Sequence, residues 1–224
     1  IRPCMKKQGY TFSKKCFYKI HNDIAYCIAF DMPSGLVYAT FFVMPLYIPA
    51  QNRYYTYGNR VSSLRRSRLL PLSKIAIVPE SLFIISICTY TSVASASNPR
   101  LSLPLSKNAS DDELAAWCEH LCNDLEKFVF PFFQEIDTPS KLVNAIVKKK
   151  YAADRFFLCP PVQVSRLLLF SYLYIEDFDN LYLLAEKYPI CIQESTYLSE
   201  TVRNSYFKEN NAIMQLTQSD IQIA

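Results

Sequence analysis

The chain has only three glycines and two histidines among its 224 residues, and both shortages restrict the chemistry it can support. Gly9, Gly35 and Gly58 are far apart, so they cannot form a glycine-rich loop that holds a nucleotide phosphate. His21 and His120 fall in a predicted turn and on a predicted helix, which leaves little scope for a histidine-based triad. The sequence therefore disfavours hydrolase and oxidoreductase chemistry, and no cofactor is expected.

Long apolar runs are also missing, since no segment reaches the roughly 20 apolar residues of a transmembrane helix. The chain starts at Ile1 without an initiator methionine, so an upstream signal segment is compatible with the sequence. Eight cysteines are scattered among apolar positions and form no disulfide framework. This pattern indicates reduced thiols in a cytoplasmic protein that has no membrane partner.

Cys118, His120 and Cys122 are metal-ligand residue types close together in the sequence. On a helix the two cysteines share a face while His120 points away, and no second cluster supplies the remaining ligands. No metal site is predicted.

Charge is divided unevenly along the chain. Residues 1–110 contain 14 lysines and arginines against three acids, whereas residues 111–224 contain 10 against 17. The two halves could neutralise each other across an interface, or the basic half could meet an anionic partner. The first interpretation is the simpler one, because asymmetry alone reports potential and not specificity.

Residues 110–136 carry the clearest helical pattern. Ser110 and Glu113 form a capping-box pair at its start, and Pro131 is expected to end or kink the helix near Phe130. An apolar stripe at three- and four-residue spacing predicts a core-facing side. The stripe comprises Leu114, Trp117, Leu121, Leu125, Phe128, Val129 and Phe132.

The first half of the chain predicts an antiparallel meander packed by helices. A helix is expected to stop at Gly9, and alternating aromatic and β-branched residues predict four strands, at 10–20, 24–30, 36–44 and 82–90. Short turns between successive strands, one at His21–Asp23, require antiparallel pairing. A serine- and proline-rich connector is expected at 92–109.

The second half predicts helices: one capped at Thr138 and running to about Lys150, then 162–174, 178–188 with Asp177 as its cap, and 196–210. The predicted fold class is α+β, with an α+β domain at residues 1–150 and a helical extension at 151–224 packed on it.

A basic, tyrosine-rich segment at 53–68 is the candidate partner surface, because it contains no acid. Interleaved cations and aromatic rings can track a phosphate backbone and stack on bases. The alternative is a solvated loop that includes an edge strand near residues 60–64. The candidate binding residues are Arg53, Tyr54, Tyr55, Tyr57, Arg60, Arg65, Arg66 and Arg68.

Several segments carry a family resemblance: the opening IRPCMKKQGYTFSKKCFYKI, then IAYCIAFD, YGNRVSSL and LEKFVFPFFQEIDTPSKLVNAI. Over roughly residues 1–150 the chain resembles the bacterial family catalogued as domain of unknown function 4304. The resemblance implies an α+β fold and brings no established activity and no catalytic residues.

The sequence thus favours non-catalytic binding of a protein partner, as an immunity-like or accessory factor, through the segment at 53–68. Nucleic-acid binding through the same segment is the main alternative, and steep salt dependence would mark it. An unrecognised enzyme is the third, with carboxylates from distant segments converging in a pocket. The local carboxylates Glu176, Asp177 and Asp179 are explained by a helix cap and a solvated helix start.

Overall fold

A computed structural model describes the protein at residues 1–13, 16–31, 35–48, 85–89, 105–148, 161–196 and 198–216. The chain divides into two compact units. Unit 1 consists of Ile1–Met44 and Ile84–Leu158, and unit 2 of Pro45–Phe83 and Cys159–Ala224. Within the described ranges, no helix combines the length and the apolar character needed to cross a membrane.

In the described part of the chain, six strands form one sheet: β1 (Thr11–Ser13), β2 (Cys16–His21), β3 (Ile24–Asp31), β4 (Leu36–Pro45), β5 (Ile85–Thr89) and β6 (Leu105–Ser106). The first five strands lie across the sheet in chain order. Strand β6, which falls in the segment predicted to be a connector, pairs with β4. The predicted α+β class with an antiparallel meander is therefore confirmed.

The predicted strand at 10–20 is wrong, because the segment forms two strands. Thr11 pairs with Tyr18 and Ser13 with Cys16, so the chain folds back on itself as a hairpin. The sequence between the two strands is a pair of lysines, and without glycine, asparagine or aspartate it gives none of the usual signals of a tight turn.

The next turn was predictable from its residues. Asn22 and Asp23 join β2 to β3 with φ angles of +48° and +58°. Two successive positive φ angles are typical of the two-residue hairpin turns that match strand twist, and asparagine and aspartate tolerate this backbone region better than most residues. The predicted turn at His21–Asp23 is confirmed.

One helix precedes the strands along the chain and the other described helices follow them, and helices make up most of the described part of unit 2. Unit 1 contains α1 (Arg2–Lys7), α2 (Asp111–Asp124), α3 (Phe130–Glu135) and α4 (Pro139–Val147), with a π-helical turn, Leu125–Val129, between α2 and α3. Unit 2 contains α5 (Pro161–Tyr174), α6 (Phe178–Glu194) and α7 (Glu200–Met214). Gly9 follows α1 with a φ of +78°, as a helix-ending glycine should.

The start of α2 is as predicted. The Glu113 amide donates to Ser110 Oγ at 3.3 Å, and the Ser110 amide donates to Glu113 Oε2 at 2.8 Å. Leu121, Leu125 and the later stripe residues Val129 and Phe132 are buried. Leu114 is 44% exposed, so its predicted place in the core is wrong. Residues 111–116 are all exposed, because the helix begins at the surface.

Pro131 does not end the helix. Helical structure continues through Phe130 to Glu135, and the turn before the proline is a π turn in which the Phe130 amide donates to the carbonyl of Leu125. Such a turn is one way for a helix to accommodate an irregularity in its hydrogen-bond ladder. Of the two outcomes predicted for Pro131, an end or a kink, the end does not occur, and the helix changes pitch in the π turn before it continues.

The C-terminal helices are present with shifted bounds. Thr138 and Asp177 cap α4 and α6 as predicted, accepting from the amides of Lys141 and Asn180. However, α6 extends past the predicted end near residue 188 to Glu194. The last helix begins at Glu200, with Ser199 as its N-cap, and so starts later than the predicted residue 196.

Candidate functional site

Unit 1 contains a partly open cavity of about 210 Å³. Three stretches that are distant in sequence enclose it: the end of α1, the β2–β3 hairpin, and α3 with the residues that follow it. The lining residues are Gln8, Tyr10, Lys19, His21, Tyr26, Phe130, Phe133, Gln134 and Asp137.

The hairpin places three of these side chains on one face of the sheet. Lys19 lies directly opposite Tyr26 in the β2–β3 register, and directly paired residues project to the same face. His21 is two residues beyond Lys19, so it shares that face too. The hairpin register therefore fixes a cation, an imidazole and a phenol along one wall.

The opposite wall depends on the π turn before α3. One extra residue in a turn rotates the side chains that follow by roughly 100° relative to a straight α-helix. Phe130, Phe133 and Gln134 then stand at i, i+3 and i+4, on one helix face, and all three line the cavity. The π turn at Leu125–Val129 therefore sets the direction in which this helix face points.

Paired aromatic rings form the floor. The ring centroids of Tyr10 and Phe130 are 5.6 Å apart, and those of Tyr26 and Phe133 are 5.1 Å apart. The Tyr26 hydroxyl donates to the carbonyl of Ile136 at 3.2 Å, which ties β3 to the end of α3. Ring pairs at these distances favour a defined packing arrangement, so the floor is expected to be preorganised.

Tyr10 contributes a protonated phenol. Burial raises the pKa of its hydroxyl, and nearby Cys27 and Tyr26 raise it further. The group therefore stays neutral at physiological pH and can exchange hydrogen bonds with a bound group, but it cannot serve as a phenolate nucleophile or base.

The polar rim is one-sided in charge. Lys19 is exposed, and its Nζ donates to the carbonyl of Gln8 at 3.2 Å. On the other side, Asp137 is paired with Lys141 at 2.7 Å, and the Asp137 carbonyl accepts from Asn22 Nδ2 at 3.0 Å. The rim acid is thus already paired with a cation, whereas the Lys19 ammonium bonds a neutral carbonyl.

The thiols near α2 show a different chemistry. Cys118 and Cys122 are half-buried and His120 is exposed, and the described residues contain no group of three or more potential ligands that could hold a metal ion. Burial, followed by an interaction with Cys122, raises the pKa of Cys4 to about 11. A thiol with such a pKa is protonated at neutral pH, and thiolate is the reactive form.

The eight site residues predicted from the sequence lie outside the described residues, so their role as a partner surface stays a prediction. They are Arg53, Tyr54, Tyr55, Tyr57, Arg60, Arg65, Arg66 and Arg68.

Sequence reasoning missed the cavity because each of its walls looks like ordinary packing when taken alone. Tyr10, Tyr26 and Phe133 belong to segments that predict a core, and the three segments are brought together only by the fold. Two signals pointed toward it: the polar pair Lys19 and His21 alternating along an otherwise apolar strand, and a proline inside a helical pattern.

The fold and the cavity define an α+β protein with a small cavity lined by aromatic and polar residues. Comparisons with protein-family models, curated proteins and solved structures gave no match for this chain. The resemblance to domain of unknown function 4304 therefore stays a prediction.

Proposed function

We propose that the protein is a non-catalytic binding module for a protein partner, and that the cavity in unit 1 holds one side chain of that partner. The size of the cavity carries the proposal. Sites for cofactors and drug-sized ligands occupy roughly 300–1,000 Å³, and this cavity measures about 210 Å³. It suits a single large side chain better than a nucleotide or a comparable cofactor.

The lining supports the same proposal. Protein interfaces concentrate binding energy in small pockets that desolvate one aromatic or aliphatic anchor, surrounded by a polar rim. Here Phe130 and Phe133 are almost fully buried beneath the cavity, and exposed polar residues, including Gln134, stand around its opening. An apolar floor under a polar rim is the arrangement that such an anchor requires.

Site-specific photo-crosslinking tests the proposal. A photoreactive amino acid replaces Gln134 at the rim, and a matched variant carries it at Glu119, which is also exposed in unit 1 but does not line the cavity. We expect a protein from the native lysate to be crosslinked from position 134 and not from position 119. Free indole in excess should reduce the product by occupying the aromatic floor.

Two results would overturn the proposal. One is a crosslinking pattern that is the same from both positions. The other is a cavity-specific product that contains only a small molecule, since that would make the cavity a ligand site and not a partner site.

A further inference from the structure

The charges around the cavity indicate which charged group of the partner would lie next to its anchoring side chain. Asp137 is paired with Lys141 at 2.7 Å, so the acid on the rim is largely neutralised. Lys19 has three ammonium hydrogens, and its described bond goes to a neutral carbonyl, that of Gln8. The rim therefore has a surplus of positive charge on the hairpin side.

Other side chains that line the cavity can also donate hydrogen bonds. Gln8 and Gln134 carry side-chain amides at the cavity, and His21 adds an imidazole on the same wall as Lys19. A carboxylate accepts several hydrogen bonds at once and gains most from a charged donor. An anionic group at this rim would thus meet the Lys19 ammonium and further side chains that can donate hydrogen bonds.

The position of Lys19 limits how far that anion can lie from the ring. Lys19 is the direct cross-strand partner of Tyr26, and such partners have Cβ atoms roughly 4.5–5.5 Å apart. Tyr26 and Lys19 both line the cavity, so a ring packed against Tyr26 has the ammonium close by. The anion must therefore belong to the same residue as the ring or to its immediate neighbour.

We propose that the cavity recognises a C-terminal aromatic residue of the partner, with the ring on the aromatic floor and the terminal carboxylate at Lys19. This inference rests on the proposed function of the cavity as a side-chain site. A chain end also suits a cavity of about 210 Å³, because one residue fills it and no chain need leave on the far side.

Peptide binding tests the proposal. Two fluorescent hexapeptide pools, each ending in Phe, Tyr or Trp, differ only in a free or an amidated C-terminus, and binding is measured by anisotropy. We expect amidation to weaken binding roughly tenfold, the loss typical of one hydrogen bond to a charged group. Lys19→Met should weaken the free-acid pool to the level of the amide and leave the amide unchanged.

Lys148→Met is the matched control, because Lys148 is also an exposed lysine of unit 1 and does not line the cavity. It should change neither pool. Equal binding of acid and amide by the unmodified protein would overturn the carboxylate inference and leave the side-chain site standing. Equal binding of an amidated peptide with an internal Phe-Asp would overturn the C-terminal assignment. If neither pool binds, both the inference and the proposed function of the cavity fail.

Discussion

The side-chain amide of Asn210 donates to the backbone carbonyl of Ala185 at 2.9 Å, and Pro189 is the reason that this carbonyl needs a donor. In an α-helix the carbonyl of residue 185 accepts from the amide of residue 189, and proline has no amide hydrogen. Ala185 and Pro189 belong to α6, and Asn210 belongs to α7. A neighbouring helix thus restores the bond that the proline removes, and α6 continues to Glu194.

Asn210→Ala should destabilise unit 2 by about 1–3 kcal/mol, because it leaves the buried carbonyl of Ala185 without its donor. Urea denaturation followed by circular dichroism measures the change. The effect should be smaller in a Pro189→Ala background, where the restored amide of residue 189 can donate to the same carbonyl.

The double-mutant cycle separates this role from simple packing. If Asn210→Ala costs the same free energy with proline or alanine at position 189, the asparagine does not act by replacing the proline's missing bond.

A buried ion pair joins α5 to α7. Arg166 contacts both carboxylate oxygens of Glu209 at 2.6 Å, and both side chains are at most 1% exposed. Burial alone would lower the pKa of Arg166, but Glu209 outweighs it and the pKa is raised. The guanidinium also lies 5.0 Å from the ring centroid of Phe170 and 5.5 Å from that of Tyr206.

Removing one member of this pair should cost more than removing both. Arg166→Met or Glu209→Leu alone should destabilise unit 2 by about 3–5 kcal/mol, because each strands a charge in the interior. The double variant should recover much of that loss. Unfolding free energies of the four proteins provide the measurement, and additive losses would show that the two charges do not depend on each other.

Two leucines of α2 provide a matched test of which helix face meets the core. Leu121 is fully buried and Leu114 is 44% exposed, although the sequence pattern places both on one stripe. Leu121→Asp should unfold unit 1, since an unpaired charge in the core costs several kcal/mol. Leu114→Asp should change stability by less than about 0.5 kcal/mol. Similar thermal unfolding of the two variants would contradict this assignment.

Local sequence patterns predicted where helices and turns form better than they predicted the effect of a proline inside a helix. The capping box at Ser110 and the turn at Asn22 follow from chemistry within a few residues, so the sequence showed both. Pro131 was expected to end or kink its helix, and the helix changes pitch and continues. The helix predicted at 178–188 stops just before Pro189, whereas the observed α6 runs through it to Glu194. In the case of Pro189, the compensating donor is 21 positions away, at Asn210, and no local pattern reports it.

The cavity was beyond local reasoning for a related reason. Its floor pairs Tyr10 with Phe130 and Tyr26 with Phe133, and each pair joins residues more than a hundred positions apart. An aromatic residue in a strand or helix predicts burial. It does not predict whether the packed rings fill the available space or leave a cavity beside them.

The capping box should give α2 a defined pH dependence. The amide and hydroxyl of Ser110 lower the pKa of Glu113 below its ordinary value of 4.5. A carboxyl whose pKa is lower in the folded state stabilises the fold above its unfolded pKa, and loses that effect as pH falls through the folded value. Wild type should therefore be more stable than Glu113→Gln above about pH 4.5, with the difference vanishing in acid.

The expected pH dependence can be tested by measuring the thermal midpoints of both proteins from about pH 2 to about pH 7, because carboxyl groups titrate within that range. Glutamine can still reach the Ser110 amide, so the comparison isolates the charge. A difference that is constant across the range, or larger in acid, would contradict the assignment.

The acid-free segment at 53–68 can be tested without reference to its structure. We predict that replacing Arg65 and Arg66 by Glu abolishes capture of the partner and leaves the thermal midpoint unchanged, because the change reverses charge on a predicted partner surface. Replacing Lys148, which lies outside that segment, by Glu serves as the control. Capture that survives the double replacement would remove the segment from the binding site.

Salt separates the two kinds of partner that the segment could meet. Binding to nucleic acid releases counterions, so affinity should fall by about 10³–10⁵ between 50 and 200 mM salt if six to ten phosphates are contacted. A protein partner should show a much shallower dependence, because a protein interface neutralises far fewer charges than a row of about six to ten phosphates. Steep salt dependence that Arg65 and Arg66 carry, together with loss of capture on nuclease treatment, would make nucleic acid the ligand of this segment.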